Sequence, residues 1–367
     1  MRSTASLRPI TLFGGILVAA ATLPWLGADL GGAAPGEVAR ADTPAASAER
    51  VRFAFWNVEN LFDSEDDPTN PGDDEYLPAN GWTDERYHKK LDHLAELIAE
   101  VDPHLLGFAE VENRRVLADL LQHPKLKDKG YSIVHRDSPD KRGIDLALIY
   151  RAPFSLPNPE AATLHPIEIP KPTRGVLSVP MQANGHVLHV LVNHWPSRGG
   201  GEEAVGFRRS AAQVCRSVIA KIEQSTPGDP DILLIGDFND DPFDDSVRKE
   251  LNAVRSKNAA LNRKNVDHLY NPTWAFLGQT DVGTLYYNGD WVWNVFDQAI
   301  VSRGLLDPAG FQWVDDSLSI HAPDKVRDHL RRPKWFRKNN RSGQWTEGYS
   351  DHFMIHGELQ VAPAAAG

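Results

Sequence analysis

The stretch DILLIGDFND, residues 231–240, decides how the rest of the chain is read. Its apolar run follows the breaker TPGDP and ends on an acid, the pattern of a buried strand that carries Asp237 and Asn239 out at its end. The segment before it, Phe207 to Glu223, places Val214, Val218, Ile219 and Ile222 on one helical face. A helix feeding directly into a buried strand indicates an α/β organisation.

Working outward, strand patterns occur at VRFAFWNV (51–58), Leu105–Ala109, Tyr131–His135, Ile144–Tyr150, Gly175–Met181, His186–Asn193, WVWNVFDQAIVS (291–302) and FMIHGEL (353–359). Asn184-Gly185 suits the positive φ angles of a tight hairpin between two of them. Helical patterns cover DERYHKKLDHLAELIAEV, with Leu91, Leu94, Leu97, Ile98 and Val101 on one face and Asp84 as the expected cap, and Arg114–Leu121. Strands joined partly by hairpins and partly by helices predict two packed mixed sheets covered outside by helices, in one domain over 51–360 with a short tail over 361–367.

The 367 residues carry 39 basic and 50 acidic side chains, a net charge of -11, which excludes a binder that relies on a uniformly positive surface. The single cysteine, Cys215, excludes an intrachain disulfide and a thiolate zinc cluster, and its helical setting reads as a core thiol. Arg2 and Arg8 precede an uncharged run from Pro9 to Ala28, and Ala39-Arg40-Ala41 offers a small-x-small cleavage site. A signal peptide over 1–41, a flexible segment over 42–50 and a secreted or periplasmic protein are therefore expected; an uncleaved membrane anchor is the rival reading of the same run. No cysteine stands near the export segment to accept a lipid.

Five strands end on groups able to do chemistry: Asn57 in FWNVEN, Glu110 in GFAEVEN, His194 in VNHWPSR, Asp237 with Asn239 in GDFND, and Asp351-His352 in YSDHF. Phosphate chemistry with a metal needs hard oxygen ligands, a group that takes a proton from water, and donors for the phosphoryl oxygens. Glu59 and Glu110 suit the first need, Asp237 or the Asp351-His352 pair the second, and Asn57, Asn239 and His194 the third, with Arg198 in the turn after His194 as a further substrate contact. DFNDDPFDD lacks the glycine and glutamate of an EF-hand loop, and no Walker lysine or GxGxxG is present. Between Lys325 and Arg341 eight basic residues stand against Asp328, with Trp335 and Phe336 among them, a local patch that reads either as a solvated loop or as a grip on a phosphodiester backbone with the aromatics on a base or lipid.

The ordered set WNVENLF, FAEVEN, NHWPS, GDFND, FDQAIVS and SDHF resembles the endonuclease/exonuclease/phosphatase superfamily over Val51 to Leu359. The resemblance implies a DNase I-like four-layer α/β sandwich and hydrolysis of a phosphate ester, most readily in DNA or RNA, by direct attack of water. It also implies Mg2+, with Mn2+ or Ca2+ able to support related sites, held by Glu110 with Glu59 and Asp351. Asn57 matches the family's first-strand asparagine, Asp237 its central aspartate, Asn239 its phosphate-facing asparagine, His194 a histidine of the nuclease and sphingomyelinase branches, and Asp297 the partner of His352. Either His352 or Asp237 is then the base. A lipid-headgroup phosphodiesterase or phosphatase is the alternative within the superfamily, and a non-catalytic exported binding protein the alternative outside it; no obligate protein partner is indicated.

Overall fold

The computed structural model describes residues 48–265, 267–339 and 342–364. The expected signal peptide lies outside them. Among the described residues no helix is long and apolar enough to cross a membrane.

One seven-stranded sheet is built from β1 (Glu49–Leu61), β2 (Leu105–Val111), β3 (Ser132–Arg136), β4 (Asp145–Tyr150), β14 (Phe311–Trp313), β15 (Ser319–His321) and β18 (Met354–Val361). The second contains β5 (Thr163–His165), β6 (Val176–Ala183), β7 (His186–His194), β8 (Asp231–Asp237), β9 (Ala253–Val254), β10 (Leu269–Tyr270) and β13 (Asp297–Val301). Two ribbons complete the strands: β11 (Leu285–Tyr287) with β12 (Val292–Asn294), and β16 (Phe336–Lys338) with β17 (Trp345–Glu347). The helices are α1 (Asp84–Val101), α2 (Arg114–Leu121), α3 (Glu202–Ser225) and the short α4 (Lys257–Leu261).

Side-chain alternation assigns the layers. Phe53 and Phe55 of β1, Leu146 and Leu148 of β4, Val190 and Val192 of β7, and Leu233 and Ile235 of β8 meet in the core between the sheets. The intervening residues point outward: Ala54, Trp56 and Ile149 pack with the apolar faces of α1 and α2, while Leu191, Ile232 and Leu234 pack with Ala211, Cys215 and Ile219 of α3. Strands buried on both faces place the helices outside, which gives the four-layer sandwich. Burying each Leu, Ile or Phe contributes about 1.5–3 kcal/mol, so this three-layered apolar packing carries the fold without a disulfide.

Several local readings change. Glu49 and Arg50, expected in the flexible segment, pair with Val361 and Gln360 in the sheet. Thr83, not Asp84, caps α1, its side chain accepting from Arg86 N. The 291–302 run is not one strand: Asp241 accepts from Asn294 Nδ2 and from Val295 N, which ends the ribbon strand before β13 begins in the second sheet. The hairpin at Asn184-Gly185 forms as expected, with φ of 52° and 82°.

Candidate active site

Register assembles the site. In the second sheet His194 pairs with Asp237 across β7 and β8, and Asp237 pairs with Asp297 across β8 and β13, so three chemical groups form one row at the sheet's edge. Gly236 lets the row close up: a Cβ there would lie 2.4 Å from the Asn193 carbonyl oxygen. In the first sheet Asn57 pairs with Ala109, and both strands then leave regular pairing, with Glu59 at φ 52° and Glu110 at φ 65°. His352 enters from the segment before β18, where Ser350 Oγ accepts from His352 N and donates to the Asn57 carbonyl, and Trp56 Nε1 donates to the His352 carbonyl.

Asp237 is the hub. Its Oδ2 accepts from Asn57 Nδ2 at 3.1 Å and its Oδ1 from Asn239 N at 2.9 Å. His194 Nε2 stands 3.6 Å and His352 Nε2 3.7 Å from Asp237 Oδ2. Burial pushes Asp237 up to about 7, against the lowering effect of His352 and its hydrogen bonds. His352 Nδ1 meets Asp297 Oδ2 at 2.7 Å. Burial alone would lower that imidazole, but the carboxylates of Asp297 and Asp237 outweigh it and hold His352 well above its ordinary value. His194 goes the other way: burial, helped by the charges of Arg174, Arg142 and His352, keeps it neutral. The two histidines are thus set to different protonation states within one centre.

The carboxylates on the other side of the centre face one another. Glu110 Oε2 accepts from Asn60 N at 3.1 Å and lies 3.5 Å from Arg142 Nη2, while its Oε1 is 3.8 Å from His194 Nε2. Burial, then the charge of Glu110, raises Asp351, and burial, then the charge of Asp351, raises Glu59. Glu59 Oε2 accepts from Phe336 N, but its Oε1 is buried without a partner. An orphaned oxygen and mutually repelling carboxylates suit a hard divalent cation. The ligand atoms of Glu59, Glu110 and Asp351 do not close into a cage. Among the described residues, sets within 4.8 Å occur at His135, Asp137 and Asp145 and at Asp66, Asp73 and Asp74, none of which includes these three. An open site of one or two carboxylates, completed by water and substrate phosphate, is how Mg2+ is commonly held.

Arg198 is held by the loop after β8. Its Nε donates to the Asn239 carbonyl, its Nη2 approaches Asp240, Asp241 and Asp244, and its guanidinium lies 4.5 Å from the Phe296 ring centre. These contacts tie it to the loop after β8 and to the Asn239 carbonyl, while its side chain stays partly exposed. Asn239 spends part of its amide on the Trp195 carbonyl. The basic run is likewise partly consumed, Lys325 by Glu96 and Glu100, Arg331 by Asp324 and Arg332 by Asp328.

Four groups outside the expected set complete the centre. Arg142 donates to Asn60 Oδ1 beside Glu110. Buried Lys90 donates to the carbonyls of Glu59 and Tyr349, and burial lowers its pKa although Glu59, Asp351 and Glu110 oppose the change. Arg174 ties Asp140 to the Trp195 carbonyl, and Ser350 orients His352. Of these, Lys90 left a sequence signal: it stands three residues after Tyr87 and four before Leu94, on the buried face of α1.

A buried Asp–His pair, a second histidine held neutral and an open set of carboxylates, all at the strand ends of a two-sheet sandwich, define a hydrolytic centre for an anionic ester. The sequence matches the Endonuclease/Exonuclease/phosphatase family over residues 52–360, and the chain belongs to that family. It is accordingly a phosphoric-ester hydrolase. No curated protein matches the sequence. Truncated Caenorhabditis elegans TDP2 shares the fold with a TM-score of 0.52 at 15% identity, covering 85% of this chain and 98% of its own. D. rerio TDP2 humanized by 14 mutations gives 0.51 at 14% identity, with coverages of 84% and 98%. The human Nocturnin catalytic domain with bound sulfate gives 0.50 at 15% identity, with coverages of 86% and 97%.

Proposed function

We propose that the protein is an exported, metal-dependent phosphodiesterase that cleaves nucleic acid by direct attack of water on phosphorus. The observation that carries this reading is the convergence of Asn57, His194 and His352 on Asp237. Asp237, raised to about 7 and fixed by two hydrogen bonds, takes the proton of the attacking water. His352, held protonated by Asp297, donates to the phosphoryl oxygens as their charge grows, and neutral His194 adds an N–H from the opposite side. The water oxygen bonds to phosphorus, the ester P–O bond breaks, and the alkoxide leaves with a proton from solvent. Glu110 with Asp351 would hold the cation, whose chemistry is to neutralise the phosphate and polarise its P–O bonds. Glu59, spent partly on Phe336 N, supports that set from behind.

The remaining basic and aromatic groups beside the centre favour a phosphodiester polymer over a lone phosphomonoester. Export rests on Arg2, Arg8, the uncharged run after Pro9 and the Ala39-Arg40-Ala41 site. Incubating the purified protein with DNA, RNA, a small aryl phosphodiester and phosphomonoesters, with Mg2+ or with EDTA, tests the activity. Metal-dependent diester cleavage is expected; hydrolysis confined to monoesters would overturn the diesterase reading.

A further inference from the structure

Next to the catalytic row the ribbon of β16 and β17 walls a cleft of about 930 Å³, lined among others by Asn60, Tyr76, Asn288, Trp335, Arg337 and Trp345. We propose that this cleft seats one unpaired nucleotide beside the scissile phosphate, so that single-stranded nucleic acid is the form the enzyme selects. The inference rests on the phosphodiesterase reading and names its substrate.

Arg337 is the first reason. Its guanidinium carbon lies 3.6 Å from the Trp335 ring centre, and the side chain is exposed and donates no hydrogen bond to any described residue. Its charge nevertheless acts on both Glu59 and Asp351 in the catalytic centre. An exposed cation held on an indole at the edge of a phosphate site is placed to take the next phosphate of a chain, with the indole beside it to take a base. Lys325, Arg331 and Arg332 of the same run are instead neutralised by nearby carboxylates.

The aromatic walls are the second reason. Tyr76 stacks on Phe62 at 4.2 Å and meets Trp82 edge-on at 5.4 Å, and Trp345 lies 5.1 Å from Trp82. These rings are fixed by packing among themselves, so a base entering the cleft meets a prearranged surface and little ordering cost. Third, the cleft joins the centre physically. Asn60, which lines it, donates its N–H to Glu110 and accepts from Arg142, and the Tyr76 hydroxyl feels the Glu110 charge. The lining mixes aromatic planes with amides, the cations Arg337 and Lys338 and one carboxylate, Glu75. A base within a duplex is stacked on its neighbours and cannot enter without leaving the helix.

The test is fluorescence anisotropy with a labelled DNA hexamer and the same sequence as a duplex, on the full chain carrying Asp237→Asn to halt turnover while Mg2+ is kept. The hexamer should bind at least about tenfold tighter than the duplex. Adding Trp335→Ala should weaken hexamer binding about tenfold, Trp335→Phe should restore most of it, and Arg337→Gln should also lower the salt slope by about one. Arg50→Gln, at the far end of β1, controls for general charge loss. Equal affinity for the two DNA forms, or hexamer binding by a folded Trp335→Ala protein equal to its parent's, would overturn the cleft assignment and leave diester hydrolysis standing. Absence of diester cleavage by the wild-type protein would overturn the activity while binding through Trp335 could still be read.

Discussion

His352 Nδ1 and Asp297 Oδ2 lie 2.7 Å apart, and they come from different sheets. Asp297 opens β13 of the second sheet and His352 stands two residues before the start of β18 of the first. The hydrogen bond therefore fixes the imidazole's tautomer and also joins the two halves of the sandwich at the site. Asp297 is wholly buried, so solvent does little to weaken the interaction.

Replacing Asp297 by Asn keeps the shape but removes the charge that holds His352 protonated. We expect kcat to fall by about 10²- to 10⁴-fold with the fold intact. Because the His352 pKa drops when its partner is lost, the alkaline limb of the pH–rate profile should move to lower pH. A profile recorded from pH 5 to 10 checks both expectations; an unshifted limb would deny the partnership.

Arg198→Ala should act on stability and not on substrate attraction. Removing the guanidinium leaves Asp240 to Arg208 alone and leaves Asp241 and Asp244 facing each other. Since Arg198 is partly exposed, the loss should be about 1 kcal/mol, read from urea unfolding. The salt dependence of KM should stay that of the wild type.

Gly236→Ala probes the row itself. The added methyl would meet the Asn193 carbonyl, a backbone atom that cannot turn aside, and β7 and β8 must separate between His194 and Asp237. We expect a destabilisation of about 1–3 kcal/mol and a loss of kcat larger than any change in KM. Thermal unfolding and steady-state kinetics on the same preparation check it.

The sandwich and much of the row were readable in the sequence because each relevant strand changes abruptly from apolar to polar at its end. Asn57, Glu110, His194 and Asp237 announce themselves in this way, and His352 by the reverse change, from polar to apolar, that precedes β18. The ion pairs of Arg198 were not readable, because the carboxylates of Asp240, Asp241 and Asp244 reach it only when the loop after β8 folds onto it. Arg142 and Arg174 gave no local signal, since their partners Asn60 and Trp195 are brought to them only by sheet packing. The 291–302 run read as one strand because its interruption is made by Asp241, a residue some fifty positions away.

Asp231 offers a pH test remote from the chemistry. Burial pushes its carboxyl up to about 7 from 3.8, although Phe311 N donates to it at 2.8 Å. The folded chain thus holds this proton longer than the unfolded chain, so the group favours folding below about pH 4 and loses that contribution as pH rises through about 7. Asp231→Asn retains an acceptor for Phe311 and cannot ionise. Relative to wild type it should gain on the order of 2 kcal/mol between pH 4 and pH 8, measured by denaturant unfolding at both values.

The most direct measurement is turnover of a single-stranded DNA oligonucleotide in Mg2+ by wild-type and Asp237→Asn proteins of equal folded content. The centre described here predicts diester cleavage by the wild type and a loss of at least about 10²-fold in the variant, with Kd for the oligonucleotide little changed. Full turnover by Asp237→Asn would contradict it.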